Sequence, residues 1–383
     1  MKRIPLAWLQ LTKERSRMIV AIAGIAFADV LMFLQMGFRS ALFDGAVQLH
    51  NSLDGDVFLV SDRYKALIAL DRFTERRLYQ ALGYAGVQSV SPVYLGPVQW
   101  KNPENKQVWN LYAIGVNPAD NVLLLPPVQA NLNSLKQPDT VMFDEGARKE
   151  FGPVPALFRQ GAFTTEVENR QVEVVGLFKL GTSFGINGTL ITSDINFLRL
   201  FQERRQKGLI DVGVIKLEPG ADVAQVVANL RSGLPNDVRV MSKQEFMDRE
   251  KNFWNTSTPV GYVFDLGAVI GFIVGAVIVY QILYSDVSDH MPEYATLKAI
   301  GFRDRYLLAV VFQEALILAA IGFVPGLAIS LGFYQVTRQA TLLPMVMTLG
   351  RAGFVLALTA MMCSISAAIA IRKLQSADPA DSF

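Results

Sequence analysis

Apolar positions in this chain gather in four blocks, one near the start and three towards the end, while the long stretch between them mixes polar and apolar residues. A bilayer core of about 30 Å is crossed by roughly 20 apolar residues in a helix, so each block predicts a membrane-spanning helix. The first crossing covers 18–40, with its apolar part from Met18 to Gly37. That part is longer than a signal-peptide core of about 7–15 residues and is followed by no clear small-x-small cleavage site, so it reads as a retained anchor. Asp29, near its centre, opposes insertion by about 2.5–3.5 kcal/mol, and the nine Ile, Val, Leu and Phe residues around it offset that at about −0.3 to −0.6 each.

The second crossing covers 261–284, with Asp265 only near its start. Gly267, Gly271 and Gly275 recur every four residues and predict a bare helix face against which a neighbour packs closely. Residues 307–334 form the third crossing, where Pro325-Gly326 predicts a kink. The fourth, 351–371, has an uncharged run from Ala352 to Ile371 and offers only apolar packing. Asp29 and Glu314 are intramembrane acids, functional candidates by default. With no histidine or lysine partner evident, hydrogen bonding between helices explains them better than a proton relay does.

Basic residues set the orientation. Lys2, Arg3, Lys13, Arg15 and Arg17 precede the first crossing, Lys298, Arg303 and Arg305 lie between the second and third, and Arg372 and Lys373 follow the fourth. The short loop 335–350 and its boundary carry only Arg338 and Arg351. Both termini, including the tail 372–383, are therefore expected in the cytoplasm, with 41–258 outside. Within 1–17, Ile4, Ala7, Trp8 and Leu11 mark one helical face and predict an amphipathic helix lying in the headgroup region.

The cytoplasmic loop 285–306 holds a capped segment, Pro292 to Ile300. Pro292 suits a helix start, Glu293 its positive first turn, Lys298 its negative last turn, and Gly301 a left-handed stop. A short helix there offers a surface on which a cytoplasmic partner can push.

Between the first two crossings the pattern predicts a mixed α+β domain with room for two lobes. Strands are expected at Asp56–Val60, Val108–Ile114, Val172–Leu177, Thr189–Thr192 and Val212–Leu217. Helices are expected at Thr74–Leu82, Asp194–Gln202 and Asp222–Leu230, and one from Lys243 leads back to the membrane. Val212 through Val238–Met241 reads as one β-α-β unit.

Composition then removes several function classes. Hydrophobic residues make up 51% and charged ones 18%, against roughly 25% charged in a soluble domain. A net charge of +2 gives no global field for nucleic acid. The single cysteine, Cys363, excludes an internal disulfide, and His50 and His290 are too far apart in sequence to suggest a metal site or a His-dependent catalytic centre. Gly181-Thr182-Ser183-Phe184-Gly185 fits the G-x-S-x-G pattern, but a hydrolase elbow needs a helix next, and Gly188 and a strand follow instead. It reads as a glycine-rich turn, and no catalytic residue is assigned. No phosphate-binding G-x-x-x-x-G-K-[ST] loop occurs, so ATP and Mg are expected on a separate subunit.

Three groups of residues carry a resemblance. One run goes from Val277-Ile278-Val279-Tyr280-Gln281-Ile282-Leu283-Tyr284-Ser285-Asp286-Val287-Ser288-Asp289-His290 through Glu293-Tyr294-Ala295-Thr296-Leu297-Lys298-Ala299-Ile300-Gly301. The others are Gly181–Gly185 with Asn187-Gly188-Thr189-Leu190, and the terminal Asp378-Pro379-Ala380-Asp381-Ser382-Phe383. With the four-crossing layout, they resemble the macrolide-exporter and FtsX-like permease family over essentially the whole chain. The joined run from Val277 resembles its DevC branch, permeases of a cyanobacterial exporter; Ser382 departs from the aliphatic residue that branch tends to carry.

The resemblance implies a homodimer in the bilayer, bound to an ABC ATPase subunit, a periplasmic adaptor (membrane fusion) protein and an outer-membrane TolC-like channel. It implies an exporter of a lipid-like or other amphiphilic substrate, driven through Pro292–Ile300, whose helices act as levers rather than a pore. The competing expectation is an FtsX-like signalling subunit that activates wall hydrolases.

Overall fold

The computed structural model describes residues 8, 13, 15–201, 204–293, 296, 300, 301 and 304–376. The amphipathic helix expected over 1–17 therefore falls mostly outside the described residues. The chain opens with α1 (Arg15–Ala46) and α2 (Gln48–Ser52). Strands β1 (Val57–Ser61) and β2 (Phe73–Thr74), then α3 (Glu75–Gln80), lead to β3 (Val87–Lys101) and β4 (Val108–Val116). Next come β5 (Thr140–Asp144), β6 (Phe163–Val167), β7 (Arg170–Phe178) and β8 (Thr189–Ser193), followed by α4 (Asp194–Phe201). The domain ends with β9 (Leu209–Ile210), β10 (Val212–Leu217), α5 (Val223–Gly233), β11 (Val238–Ser242) and α6 (Lys243–Asn252). The long helices α7 (Pro259–Asp289), α8 (Asp304–Thr341) and α9 (Leu349–Ser376) complete the described chain. Two compact units result, one built from 1–40, 260–340 and 345–383, the other from 41–259 and 341–344.

In the helical unit, α1, α7, α8 and α9 each contain a stretch long and apolar enough to cross a bilayer, with mean hydropathy of 2.2 to 2.4. Each helix overruns its expected span because apolarity marks only the part at membrane depth, while helical backbone bonding continues into polar residues. Ala21, Ile25 and Ala28 of α1, spaced by four and three, bury one stripe of that helix. They share a core with Val279 and Leu283 of α7, Val311 and Leu318 of α8, and Met362 and Ala367 of α9. On α7 the opposite stripe, Leu266, Val269, Ile273 and Val277, is 42–56% exposed, as a lipid-facing surface requires. Pro325 sits inside α8, which continues through it.

The inserted domain is built on one nine-stranded sheet, in the order β11-β1-β10-β3-β4-β8-β5-β7-β6. β1 runs antiparallel to both β10 and β11, so those two are parallel to each other. The expected β-α-β unit is therefore present, with β1 threaded between its strands. At the far end β6 returns to β3 through the Trp100–Val167 pair, which closes six strands into a small barrel.

Alternation sorts the side chains to two cores. Val57 and Leu59 of β1, with Leu111 and Ala113 of β4, join one cluster; Phe58, Val60, Tyr112 and Ile114 join the other. The turn at Gly181–Gly185 is followed by β8, not a helix, and Ser183 Oγ accepts the amides of Gly185 (3.3 Å) and Ile186 (3.1 Å). Its hydroxyl closes a turn.

Candidate functional site

The loop joining α7 to α8 carries the segment that the sequence singles out. Met291, Pro292, Glu293 and Thr296 are helical. The Ile300 amide donates to the Thr296 carbonyl at 3.1 Å, and Thr296 Oγ1 donates to the Pro292 carbonyl at 2.8 Å. Gly301 has φ of +104°, the left-handed stop its identity predicts. Tyr294, Ala295, Leu297, Lys298 and Ala299 lie outside the described residues. Glu293 faces Lys13 at 3.7 Å with both side chains more than half exposed, a pair that contributes little to stability. Ile300 is 70% exposed, so the loop presents an apolar side chain to its surroundings.

Gly267, Gly271 and Gly275 all face α1. A Cβ on Gly267 would lie 2.5 Å from Gln35 Cδ, one on Gly271 3.2 Å from Leu31 Cβ, and one on Gly275 2.6 Å from Ala28 Cβ, where Met362 of α9 also closes in. The α1 partners step backwards as the glycines step forwards, the register of two antiparallel helices in close contact.

The intramembrane acids have defined neighbours. Asp29 is fully buried, and the Thr359 hydroxyl of α9 lies 2.5 Å from its Oδ1 and 2.9 Å from the Val355 carbonyl. The fourth crossing thus contributes more than packing. Nearer the loop, the fully buried Glu314 of α8 faces the carboxyl of Asp286 on α7. His290, four residues on, places Nδ1 3.6 Å from Asp286 Oδ1 and 3.0 Å from the Asp286 carbonyl. The histidine stands beside Asp286, an acid that the sequence reading did not count among the intramembrane candidates. The four-residue spacing of Asp286 and His290, one helix face, was the signal available. At the other end of the bundle, Tyr334 donates to the Phe33 carbonyl at 2.5 Å and receives Arg351 Nη1 at 3.3 Å, joining α1, α8 and α9.

In the inserted domain, sequence reasoning passed over a buried polar node. Glu250 of α6 is 1% exposed, and its Oε2 accepts Tyr64 Oη and the Leu67 amide, both at 2.9 Å. Its Oε1 accepts Trp254 Nε1 at 3.1 Å. His50 of α2 is fully buried, with Nε2 3.8 Å from Glu250 Oε2. Burial raises the Glu250 pKa to about 6 despite these three donors. Burial, with Lys243 and Lys251 nearby, lowers that of His50 to about 3, so its ring is neutral. One carboxylate thereby ties the loop after β1 to the helix that leaves the domain. Among the described residues, no three His, Cys, Asp or Glu side chains gather to hold a metal ion.

Residues 266–379 match the FtsX-like permease C-terminal family. The matched stretch contains most of α7, the loop with Pro292 and Gly301, and the acids Asp286 and Glu314; Asp29 lies before it. Over its whole length the chain is similar to an uncharacterised ABC transporter permease of Mycobacterium tuberculosis, found in two strains. That likeness is 23% identity, covering 98% of this chain and 97% of the relative. Among solved structures, the periplasmic region of MacB from Actinobacillus actinomycetemcomitans overlays at a TM-score of 0.34 and 16% identity, covering 55% of this chain and 97% of that one. The extracellular domain of the noncanonic ABC-type transporter YknZ from Gram-positive bacteria overlays at 0.32 and 16%, covering 49% and 99%.

Proposed function

We propose that this chain is the permease subunit of an ATP-driven exporter in the bacterial inner membrane, its termini in the cytoplasm and its inserted domain in the periplasm. The observation that carries this reading is the match of residues 266–379 to the FtsX-like permease C-terminal family, a stretch that includes the loop between α7 and α8. The whole-length likeness to an ABC transporter permease supports it. The absence of a phosphate-binding loop from the sequence assigns ATP hydrolysis, with its Mg, to a partner ATPase.

In this mechanism the ATPase dimer closes against Pro292–Ile300 on each protomer of a permease homodimer. The push enters α7 and α8 at their loop. The glycine face on α7 and the Asp29–Thr359 contact hold α1 to the bundle, so α1 moves with it, and α1 and α7 both lead along the chain into the inserted domain. That domain drives an amphiphilic, lipid- or glycolipid-like substrate through an adaptor and an outer-membrane TolC-like channel, as in the DevC-type branch. This chain performs no chemistry of its own.

The test is isolation of the assembled complex from membranes and identification of what the inserted domain holds. An adaptor protein together with an ATPase supports export. A wall hydrolase or its activator in the adaptor's place overturns it in favour of the FtsX-like signalling reading.

A further inference from the structure

The last strand of the sheet, β11, pairs with β1 along one edge and leaves its other edge as the rim. A groove of about 510 Å³ follows that rim. Four consecutive residues of the strand, Val238 to Met241, line it, flanked by Leu234 just after α5 and by Arg249 of α6. The alternation of the strand explains why both helices reach the groove. Val240 turns to the core it shares with Leu230 and Leu234, and Met241 to the core it shares with Phe246 of α6. One helix therefore packs on each face of β11, and the strand's edge lies between them.

Its charges are unevenly matched. Arg231, Arg239 and Arg249 line the groove, against the acids Asp62 and Glu245. Arg231 is committed, since it pairs with Glu245 at 2.7 Å and donates twice to the Val240 carbonyl. The other two arginines are fixed by backbone. Arg239 Nη2 donates to the Asp62 carbonyl at 3.0 Å, and Arg249 donates to the Tyr64 carbonyl through Nε at 3.1 Å and Nη2 at 2.7 Å. A carbonyl holds a guanidinium without neutralising it, and each guanidinium has five N–H donors, so Nη1 of both is left for a further acceptor. Among the described residues, no carboxylate pairs with either one: Asp237 pairs with Arg77 at 3.0 Å, and the Asp62 carboxyl accepts from Ser61 Oγ at 3.3 Å. Burial and then the charge of Arg239 push the Arg249 pKa below its ordinary value, the mark of two like charges close together.

We infer that this groove is an interaction surface for an acidic, extended segment of a partner protein, lying along β11 with carboxylates on Arg239 and Arg249 and apolar side chains against Leu234 and Pro235. Charge complementarity sets the class of partner. Two half-buried cations without a counter-ion suit a pair of incoming carboxylates, and the planar guanidinium fork matches a carboxylate at two points. Shape separates a polypeptide from a small anion. The groove follows a five-residue strand, roughly 17 Å at about 3.4 Å per residue, and a lone phosphate or sulfate would leave most of it uncovered. Arg231 stays on the Val240 carbonyl in this arrangement, because the contacts are made by side chains. The groove lies wholly within the inserted domain, and the assignment does not rest on the export reading.

Fluorescence anisotropy of a labelled peptide of about ten residues, glutamate alternating with threonine, tests it on the full chain in phosphatidylcholine nanodiscs. The same peptide with glutamine in place of glutamate is the comparison. The glutamate peptide should bind about tenfold tighter or more, and Arg239→Gln and Arg249→Gln should each weaken it about threefold or more. Arg159→Gln, which removes an exposed arginine elsewhere on the inserted domain, should leave binding unchanged. Asp62→Asn, which removes the acid of the groove that no arginine answers, should tighten binding, and serves with Arg239→Gln if Arg249→Gln fails to fold. No binding or equal binding of the two peptides, equal loss in the Arg239 and Arg159 variants, or displacement of the peptide by inorganic phosphate at matched ionic strength would overturn the assignment.

Discussion

Gly275 of α7 lies so close to Ala28 of α1 that a side chain on the glycine would sit 2.6 Å from the alanine Cβ, inside contact distance. The same helix pair meets at Gly271 and Gly267, so the glycine register is one continuous contact. Overfilling such a contact costs about 1–3 kcal/mol. Gly275→Val should lower the thermal midpoint of the detergent-solubilised chain by several degrees. Gly332→Ala, where a Cβ meets nothing within 4 Å, should be neutral or slightly stabilising, because alanine is the better helix former by roughly 0.5–1 kcal/mol. Equal losses in both variants would remove the packing explanation.

Thr359 supplies the hydroxyl that Asp29 meets in the core of the bundle. Thr359→Val keeps the shape and deletes the donor, leaving a buried carboxyl group short of a partner, which costs on the order of 1–3 kcal/mol. Asp29→Asn should cost less, since an amide still accepts from the threonine. Thermal unfolding of the two variants checks the order; a Thr359→Val protein as stable as the parent would show that the contact contributes nothing.

Stability of the inserted domain should respond to acid through two opposed groups. Folding raises the Glu250 pKa to about 6, so the folded chain binds that proton more tightly, and stability falls by roughly 2 kcal/mol as pH rises from about 4.5 to 6. His50 does the reverse. Its folded value of about 3 lies below the ordinary 6.5, so its contribution is whole above about 6.5 and is lost as pH falls towards 3. Between pH 4.5 and 6 the two nearly cancel. Urea unfolding of His50→Leu should therefore show, relative to the parent, rising stability as pH drops from 6 to 4.5. Glu250→Gln should show a steady loss over that range. Parallel pH profiles for parent and both variants would exclude the pairing.

Gly301 at φ +104° needs a residue at ease in the left-handed region. In the reconstituted complex, Gly301→Val should strain the loop by about 1–2 kcal/mol and separate ATP hydrolysis from transport. Gly301→Asn, which tolerates that region, should recover much of the coupling. Charge reversal of Glu293 should also weaken coupling without affecting membrane insertion. Unchanged ratios of transport to hydrolysis in all three would remove the loop from the mechanism.

The crossings were legible because a bilayer demands a long apolar run, a signal no competing feature imitates. β10 was legible to the residue because Val212–Leu217 is bounded by turn residues on either side. β3 was not, since Pro92, Gly96 and Pro97 argue against a strand. The structure accommodates them because β3 pairs with β10 only up to Val93 and with β4 only from Val93 onwards, so each proline has a ladder on one side alone. The glycine face could be read from spacing. Asp29 and Thr359 could not be joined in advance, because only the folded bundle brings together residues 330 apart in the chain. Glu250 was passed over for the opposite reason: in a helix rich in charge, one buried carboxylate resembles its solvated neighbours.

The barrel closure at Trp100–Val167 leaves β11 as the open rim of the sheet, and the carbonyl of Val240 there is already taken by Arg231 at 2.9 and 3.0 Å. A polypeptide adding a strand at that rim would first have to displace the Arg231 guanidinium, so the one arginine acts as a latch on the exposed edge.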